Sequence, residues 1–373
     1  MDTKYFNSIT EFKEYATNND ISNIIVKFGN LISEDIVNNI DIFKKIQKLD
    51  CLNTQVTEIP ISLVNLTFLT CKNILITEIP ISFVNLRYID CSMTLITDIP
   101  KELVNLHYLN CSKTSITEIH KELVNLQYLN CSDTMITEIP ISLVNLQYLD
   151  CSRTQITEIP KELIKLKRLY CIGLRITEIP KELVNLQELY CSSSQITKIP
   201  KELVNLQHLY CIWTQINEIP KELVNLQYLD CLRTQITEIP ISFVNLQYLF
   251  FTGCYNITEI PKELVNIIRL DCSSTQVTEI PKSFVKLIKL YCSNTQIKEI
   301  PKELVNLQEL HCTNTRITEI PVILDLLTYI KSDLISLEKH KENVLRYKNE
   351  IKDIIKSNNI LNDDVNTLIC SYI

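Results

Sequence analysis

Between Leu146 and Lys165 the chain reads LQYLDCSRTQITEIPKELIK, and its apolar positions fall into a fixed order. Leu149 and Cys151 alternate with Tyr148, Asp150 and Ser152, the period-two signature of a short strand with one buried face. Ile156, Ile159, Leu163 and Leu166 continue the inward set. Pro160 has no N–H to donate to a strand ladder, so the strand ends before it, and Pro followed by Lys-Glu-Leu suits the first turn of a short helix or 3₁₀ segment. Cysteine recurs at 51, 71, 91, 111, 131, 151, 171, 191, 211 and 231. Phe251 takes the next place, one residue is inserted near Tyr255 and Asn256, and the period resumes at Cys272, Cys292 and Cys312. From Val56 to Ile317 this makes fourteen repeats of about 20 residues. Six inward side chains cannot offset the backbone entropy of a lone unit, so the pattern predicts turns stacked into one array, residues 46–330, that share a core.

A stack needs covered ends. Residues 1–45 are expected to form an N-terminal cap: Phe6, Ile9, Phe12 and Tyr15 have helical spacing, and Ile21, Ile24, Val26 and Leu31 read as a degenerate first repeat. Residues 331–373 turn helical, with Leu334, Leu337, Val344, Tyr347, Ile351, Ile354 and Ile355 on one stripe among charges, as a one-sided cap requires.

The unit LxxLxCxxTxIxxIPxxLxx resembles the leucine-rich repeat, whose core is LxxLxLxxNxL; the resemblance runs from about Ile46 to Ile330. Cysteine fills an inward leucine position, and threonine fills the usual asparagine position, as at Thr114, Thr134, Thr154, Thr214 and Thr234. The resemblance implies an α/β fold, a leucine-rich-repeat solenoid: a curved horseshoe with a parallel sheet on its concave face, short helical or 3₁₀ convex returns and helical caps. It also implies a non-catalytic scaffold that binds a protein partner on the concave face. With a single alanine, Ala16, and abundant Ile, Asn, Lys and Tyr, the chain is similar to leucine-rich-repeat proteins of amoeba-infecting giant viruses. The tail LNDDVNTLICSYI resembles the opening helix of the F-box motif at Leu361, Asp363, Asp364, Val365, Ile369, Ser371, Tyr372 and Ile373, with Asn362 in place of the usual proline. That resemblance implies an alternative role, a substrate-recognition adaptor that holds a ubiquitin-ligase core.

Charge and cysteine usage narrow the partner. A net charge of −7 gives no uniform basic surface, so a nucleic-acid partner is not expected. The N-terminus has no basic segment followed by an apolar one, and no apolar run reaches the ~18 residues of a membrane span. The expected setting is the cytoplasm, that of the host for a viral chain, and the expected state a monomer. Thirteen of the fifteen cysteines stand in the regular column and read as small core-filling hydrophobes, since zinc sites want clustered pairs and adjacent in-register Cβ vectors run parallel. His107, His120, His208, His311 and His340 fall in different columns, and no phosphate loop or Ser/His/Asp set is present, so neither catalysis nor a cofactor is expected.

The informative positions are those the template leaves free on the strand face. A regular tyrosine column runs through Tyr88, Tyr108, Tyr128, Tyr148, Tyr228 and Tyr248, and either stiffens the sheet or contacts a partner. Off the consensus stand Arg168, Tyr170, Ile172, Tyr190, His208, Tyr210, Ile212, Trp213 and Arg233. With Tyr228 these ten residues are the expected partner-binding patch, centred on Trp213, the single tryptophan of the chain.

Overall fold

The computed structural model describes residues 3–322, 324, 327–333 and 336–357, the last six by backbone only. The F-box-like residues Leu361, Asp364, Val365, Ile369 and Tyr372 lie outside the described residues, as does Leu334. Contacts divide the chain into two compact units, Met1–Leu206 and Gln207–Ile373.

The first unit opens with β1 (Thr3–Phe6), α1 (Ile9–Asn18), β2 (Ile25–Phe28), α2 (Ser33–Asn38) and α3 (Ile40–Phe43). Ser8 caps α1, its hydroxyl accepting from Glu11 N, so Phe6 ends a strand instead of starting the helix. The spacing of Phe6, Phe12 and Tyr15 marked a cluster: the Phe6 ring lies 5.1 Å from Phe12 and 5.5 Å from Tyr15. Eight three-residue strands follow at the repeat period: β3 (Lys48–Asp50), β4 (Phe68–Thr70), β5 (Tyr88–Asp90), β6 (Tyr108–Asn110), β7 (Tyr128–Asn130), β8 (Tyr148–Asp150), β9 (Arg168–Tyr170) and β10 (Glu188–Tyr190). From β1 to β10 each strand pairs in parallel with the next, and β1 aligns Phe6 with Phe28.

The second unit repeats the arrangement in β11 (His208–Tyr210), β12 (Tyr228–Asp230), β13 (Tyr248–Phe250), β14 (Arg269–Asp271), β15 (Lys289–Tyr291), β16 (Glu309–His311) and β17 (Tyr329–Lys331), again parallel and in register. Helix α4 (Leu337–Ser357) then covers the last turn. His340 is buried, its Nε2 2.9 Å from the Leu324 carbonyl, and Val344 is buried beside it on the same stripe.

Within each turn the sequence pattern is kept. Leu149, Cys151, Ile156, Leu163 and Leu166 are fully buried, and the residues flanking Leu149 are half-buried. The return after proline is a pair of i→i+3 turns of the 3₁₀ kind: Leu163 N donates to Pro160 O at 3.3 Å and Leu166 N to Leu163 O at 3.0 Å. Proline suits this start because its fixed φ fits the first turn and its carbonyl is the acceptor the turn needs. His120 replaces proline in one turn, keeps the bond from Leu123 N, and sets Nε2 2.9 Å from Asp98 Oδ1.

Two polar columns satisfy the backbone of the stack. Threonine hydroxyls donate to the cysteine carbonyl three residues back, as Thr154 to Cys151 O at 2.7 Å and Thr214 to Cys211 O at 2.7 Å, which satisfies a turn carbonyl from inside. Asparagine side chains donate to the preceding turn, as Asn145 Nδ2 to Val124 O at 2.9 Å and Asn245 Nδ2 to Val224 O at 3.0 Å. The cysteines are free thiols, and burial pushes those of the regular column well up. Cys254 stands in the threonine column, donates to Cys231 O at 3.1 Å, and is drawn down to about 7, chiefly by its hydrogen bonding with Cys231.

Candidate functional site

Two residues past each inward cysteine the backbone turns left-handed. The φ angle is 55° at Arg153, 57° at Trp213 and 54° at Arg233, and 72° at Gly173 and Gly253. The bend lets the N–H bond onward to the next turn, as Trp213 N to Leu232 O at 3.0 Å and Arg233 N to Thr252 O at 2.9 Å. Asn53, Asn73, Asn294 and Asn314 share this conformation. They suit it, whereas a bulky side chain there costs about 1–2 kcal/mol. Tryptophan is therefore the least expected occupant.

In the second unit Trp213 is 56% exposed, and the Arg233 guanidinium lies over its ring, Cζ 4.5 Å from the centroid. A cation on an exposed indole contributes about 0.5–1 kcal/mol. Gly253 opens the lane for that arginine: a Cβ on Gly253 would stand 3.1 Å from Arg233 Cγ. Tyr255, from the irregular repeat, is 64% exposed beyond it. Loop geometry thus presents a tryptophan, an arginine and a tyrosine along one edge of the turns.

The strand face of this unit holds the other predicted residues. His208 pairs with Tyr228 and Tyr210 with Asp230 in the register of β11 and β12. The Tyr210 and Tyr228 rings stack at 4.4 Å and 27°, which takes the aromatic contact from one exposed column to the other; His208 lies 6.1 Å from Tyr228. Ile212 is half-buried beside Trp213 in sequence. Burial pushes the Asp230 carboxyl up to about 6, against the bond from Leu232 N–H and helped by repulsion from Asp271.

In the first unit Arg168, Tyr170 and Tyr190 lie on β9 and β10, with Tyr170 and Tyr190 stacked at 4.2 Å and 8°. Arg168 Nε holds Glu188 Oε1 at 3.0 Å, so its charge is paired within the unit. Ile172 is half-buried, and its N–H donates to Ser152 Oγ at 3.2 Å. The regular column next to them is continuous: Phe68, Tyr88, Tyr108, Tyr128 and Tyr148 stack at 4.1–4.3 Å within 14°. Burial in this stack raises the Tyr88, Tyr108 and Tyr148 phenols.

Sequence reasoning missed two features. One is the left-handed column, signalled by Gly173, Gly253 and four asparagines at one register position. The other is the asparagine ladder, which supplies side-chain bonds between turns from a second asparagine column. Among the described residues no cluster of three or more His, Cys, Asp or Glu side chains is placed to hold a metal ion, and no helix is long and apolar enough to cross a membrane.

Comparison with known proteins bears on the fold. Residues 108–210 match the family model described as a leucine-rich repeat region, and residues 285–338 match one described as two copies of leucine-rich repeats. Neither describes an enzyme. No curated protein matches the chain in sequence. The functional domain of InlJ from Listeria monocytogenes, which includes a cysteine ladder, is similar at 27% identity and TM-score 0.65, over 74% of this chain and 70% of that one. A leucine-rich-repeat protein of Leptospira interrogans is similar at 24% identity and TM-score 0.70, over 87% of this chain and 99% of that one. The plant peptide hormone receptor RGFR1, in complex with RGF2, is similar at 24% identity and TM-score 0.65, over 78% of this chain and 56% of that one. The 20-residue period, the parallel register within each unit, the two model matches and these neighbours agree that this chain has the leucine-rich-repeat solenoid fold.

Proposed function

We propose that this chain is a non-catalytic scaffold that binds a protein partner through the off-consensus residues of its strand face and adjoining edge. The observation that carries the reading is Trp213: a half-exposed indole held at φ 57°, where asparagine would sit without strain, and covered by a single arginine. Eleven other non-glycine residues of the column share the left-handed φ, so it is the exposure of an indole there, more than the strain, that supports a use outside the fold. Tryptophan, tyrosine and arginine are the residues on which protein interfaces concentrate their binding energy. The RGFR1 complex with RGF2 shows the same fold serving a peptide ligand, which supports the reading. Arg233, Tyr210, Tyr228, His208 and Ile212 are the proposed contacts of the second unit, and Tyr170, Ile172, Tyr190 and Arg168 those of the first.

The proposed setting is a reducing compartment, the cytosol, with the chain acting as a monomer; fourteen buried free thiols support it. Capture from cells with wild-type and Trp213→Ala chains, read by quantitative mass spectrometry, tests the function. A partner recovered by the first and lost by the second is expected, and equal recovery contradicts the proposal. The adaptor role of Leu361–Ile373 rests on the sequence resemblance alone. Its test is removal of those residues: loss of a co-purifying ubiquitin-ligase core with the strand-face partner retained supports it, and no such loss refutes it.

A further inference from the structure

Among the described residues, Arg269 on β14 of the second unit makes no ion pair with a carboxylate. Its Cζ lies 5.2 Å from the Phe250 ring centroid and 5.1 Å from that of Tyr291, so two aromatic faces hold the guanidinium. Among the described residues its side chain makes one long bond: Nη2 reaches the Tyr291 hydroxyl at 3.5 Å, where a hydrogen bond has nearly faded. Nε is buried and has no hydrogen-bond partner. Orphaned buried donors are rare, and each one needs an explanation.

The surrounding charges are already engaged. Glu309 takes Lys289 Nζ at 2.7 Å, the Tyr291 hydroxyl at 2.6 Å and His311 Nε2 at 3.0 Å, and these donors, Lys289 foremost, hold its carboxyl down at about 2. Asp271, two residues along β14, accepts from Ser273 N at 3.0 Å. Among the described residues Arg153, Arg168 and Arg346 make ion pairs while Arg87, Arg175, Arg233 and Arg316, like Arg269, show none, so what sets Arg269 apart is its buried, unpartnered Nε between two rings. Arg269 has the geometry of a held fork and lacks the anion.

We propose that Arg269 receives a single side-chain carboxylate, from an aspartate or glutamate of the partner protein, on the Nη edge of the guanidinium that Phe250 and Tyr291 hold in place, the buried Nε staying inside the fold. A planar guanidinium takes both oxygens of a carboxylate in its own plane, and aromatic faces on either side reduce the side-chain entropy that binding costs. Asp271 and Glu309 close by favour a monoanion over a doubly charged phosphate, because each adds repulsion against the second charge. The inference rests on the protein-binding reading and specifies the partner's chemistry.

The test is direct observation of the Arg269 Nε–H in the full chain by nuclear magnetic resonance, with ¹⁵N-labelled arginine and the signal assigned by its loss in Arg269→Lys. The probes are the capped peptide acetyl-Gly-Glu-Gly-Glu-Gly-amide, its Gln-for-Glu counterpart, and inorganic phosphate, all at one ionic strength. A saturable shift with the Glu peptide, at least tenfold weaker with the Gln peptide and with phosphate, and unchanged in Trp213→Ala, is expected. A shift no larger than that of exposed Arg346, or tighter binding of phosphate, overturns the proposal. Failure here with a partner still captured through Trp213 leaves the scaffold reading intact. A working carboxylate site in a chain that captures no partner counts against the scaffold reading instead.

Discussion

Strands β4 to β8 and strands β11 to β16 grow from the same repeat, but their outer faces are used differently. In the first group one column carries Phe68, Tyr88, Tyr108, Tyr128 and Tyr148, each ring lying flat on the next at 4.1–4.3 Å. In the second the same column reads His208, Tyr228, Tyr248, Arg269, Lys289 and Glu309, and the rings cross between columns or hold cations. An aromatic that recurs at every turn spends both faces on its neighbours and becomes part of the spine. One that breaks the recurrence keeps a face or an edge for something else. The difference separates residues that stabilise the stack from residues proposed to recognise a partner, although both are tyrosine-rich and both look outward.

The comparison can be broken at Tyr108, where the largest loss of stability is expected. Tyr108→Ala removes two stacked contacts from a half-buried ring and should cost about 2–3 kcal/mol in urea unfolding. A cost under about 0.5 kcal/mol would mean that the regular column is surface decoration. The same substitution should leave partner recovery unchanged.

A smaller effect is expected at Asp230, and it depends on pH. The folded carboxyl sits at about 6 against an ordinary 3.8, so the stability that goes with its protonated form is complete below about 3.8 and is lost as pH rises through 6. Asp230→Asn, which adopts the residue found at Asn110 and Asn130, should therefore raise stability at pH 7.5 by on the order of 1 kcal/mol, discounted for partial exposure, and by much less at pH 4.5. Equal gains at both pH values would show that Asp230 is ordinary, and that burial on this face is shallower than the strand register implies.

Thiol chemistry sharpens the contrast between core and face. The fourteen described cysteines are buried, so a soluble disulfide reagent should leave them unmodified until denaturant is added. Among them Cys254, with its lowered thiol, should react first as the fold loosens. Rapid labelling of the whole column in the native protein would contradict the inward assignment.

Much of this was legible because it is periodic. Alternation around Leu149 located the strand, Pro160 located its end, and the inward place of cysteine followed from its phase with Leu149. The character of the returns stayed open because proline starts a helix and a single turn equally well; the inward Leu163 and Leu166, each closing a turn onto the residue three before it, leave room only for turns. The left-handed position was hidden because five of its fourteen occupants, Met93, Lys113, Arg153, Trp213 and Arg233, are not turn formers, and only φ reveals that Trp213, Arg233 and Gly253 solve one backbone problem. Arg269 was unreadable for a different reason. Its lack of a carboxylate depends on Glu309 being taken by Lys289, Tyr291 and His311, a choice made in space by side chains from three strands.

The central claim is that residues breaking the repeat, Trp213 above all, serve recognition and are dispensable to the fold. The most direct measurement compares wild type, Trp213→Ala and Tyr108→Ala for unfolding midpoint and for affinity toward the captured partner. Trp213→Ala should change stability by no more than about 0.5–1 kcal/mol, the worth of the exposed cation contact, because alanine keeps the Cβ that strains the left-handed backbone, and should weaken binding by about 2 kcal/mol, roughly thirtyfold. Tyr108→Ala should do the reverse. A Trp213→Ala chain that unfolds early but binds the partner at full strength would contradict the account.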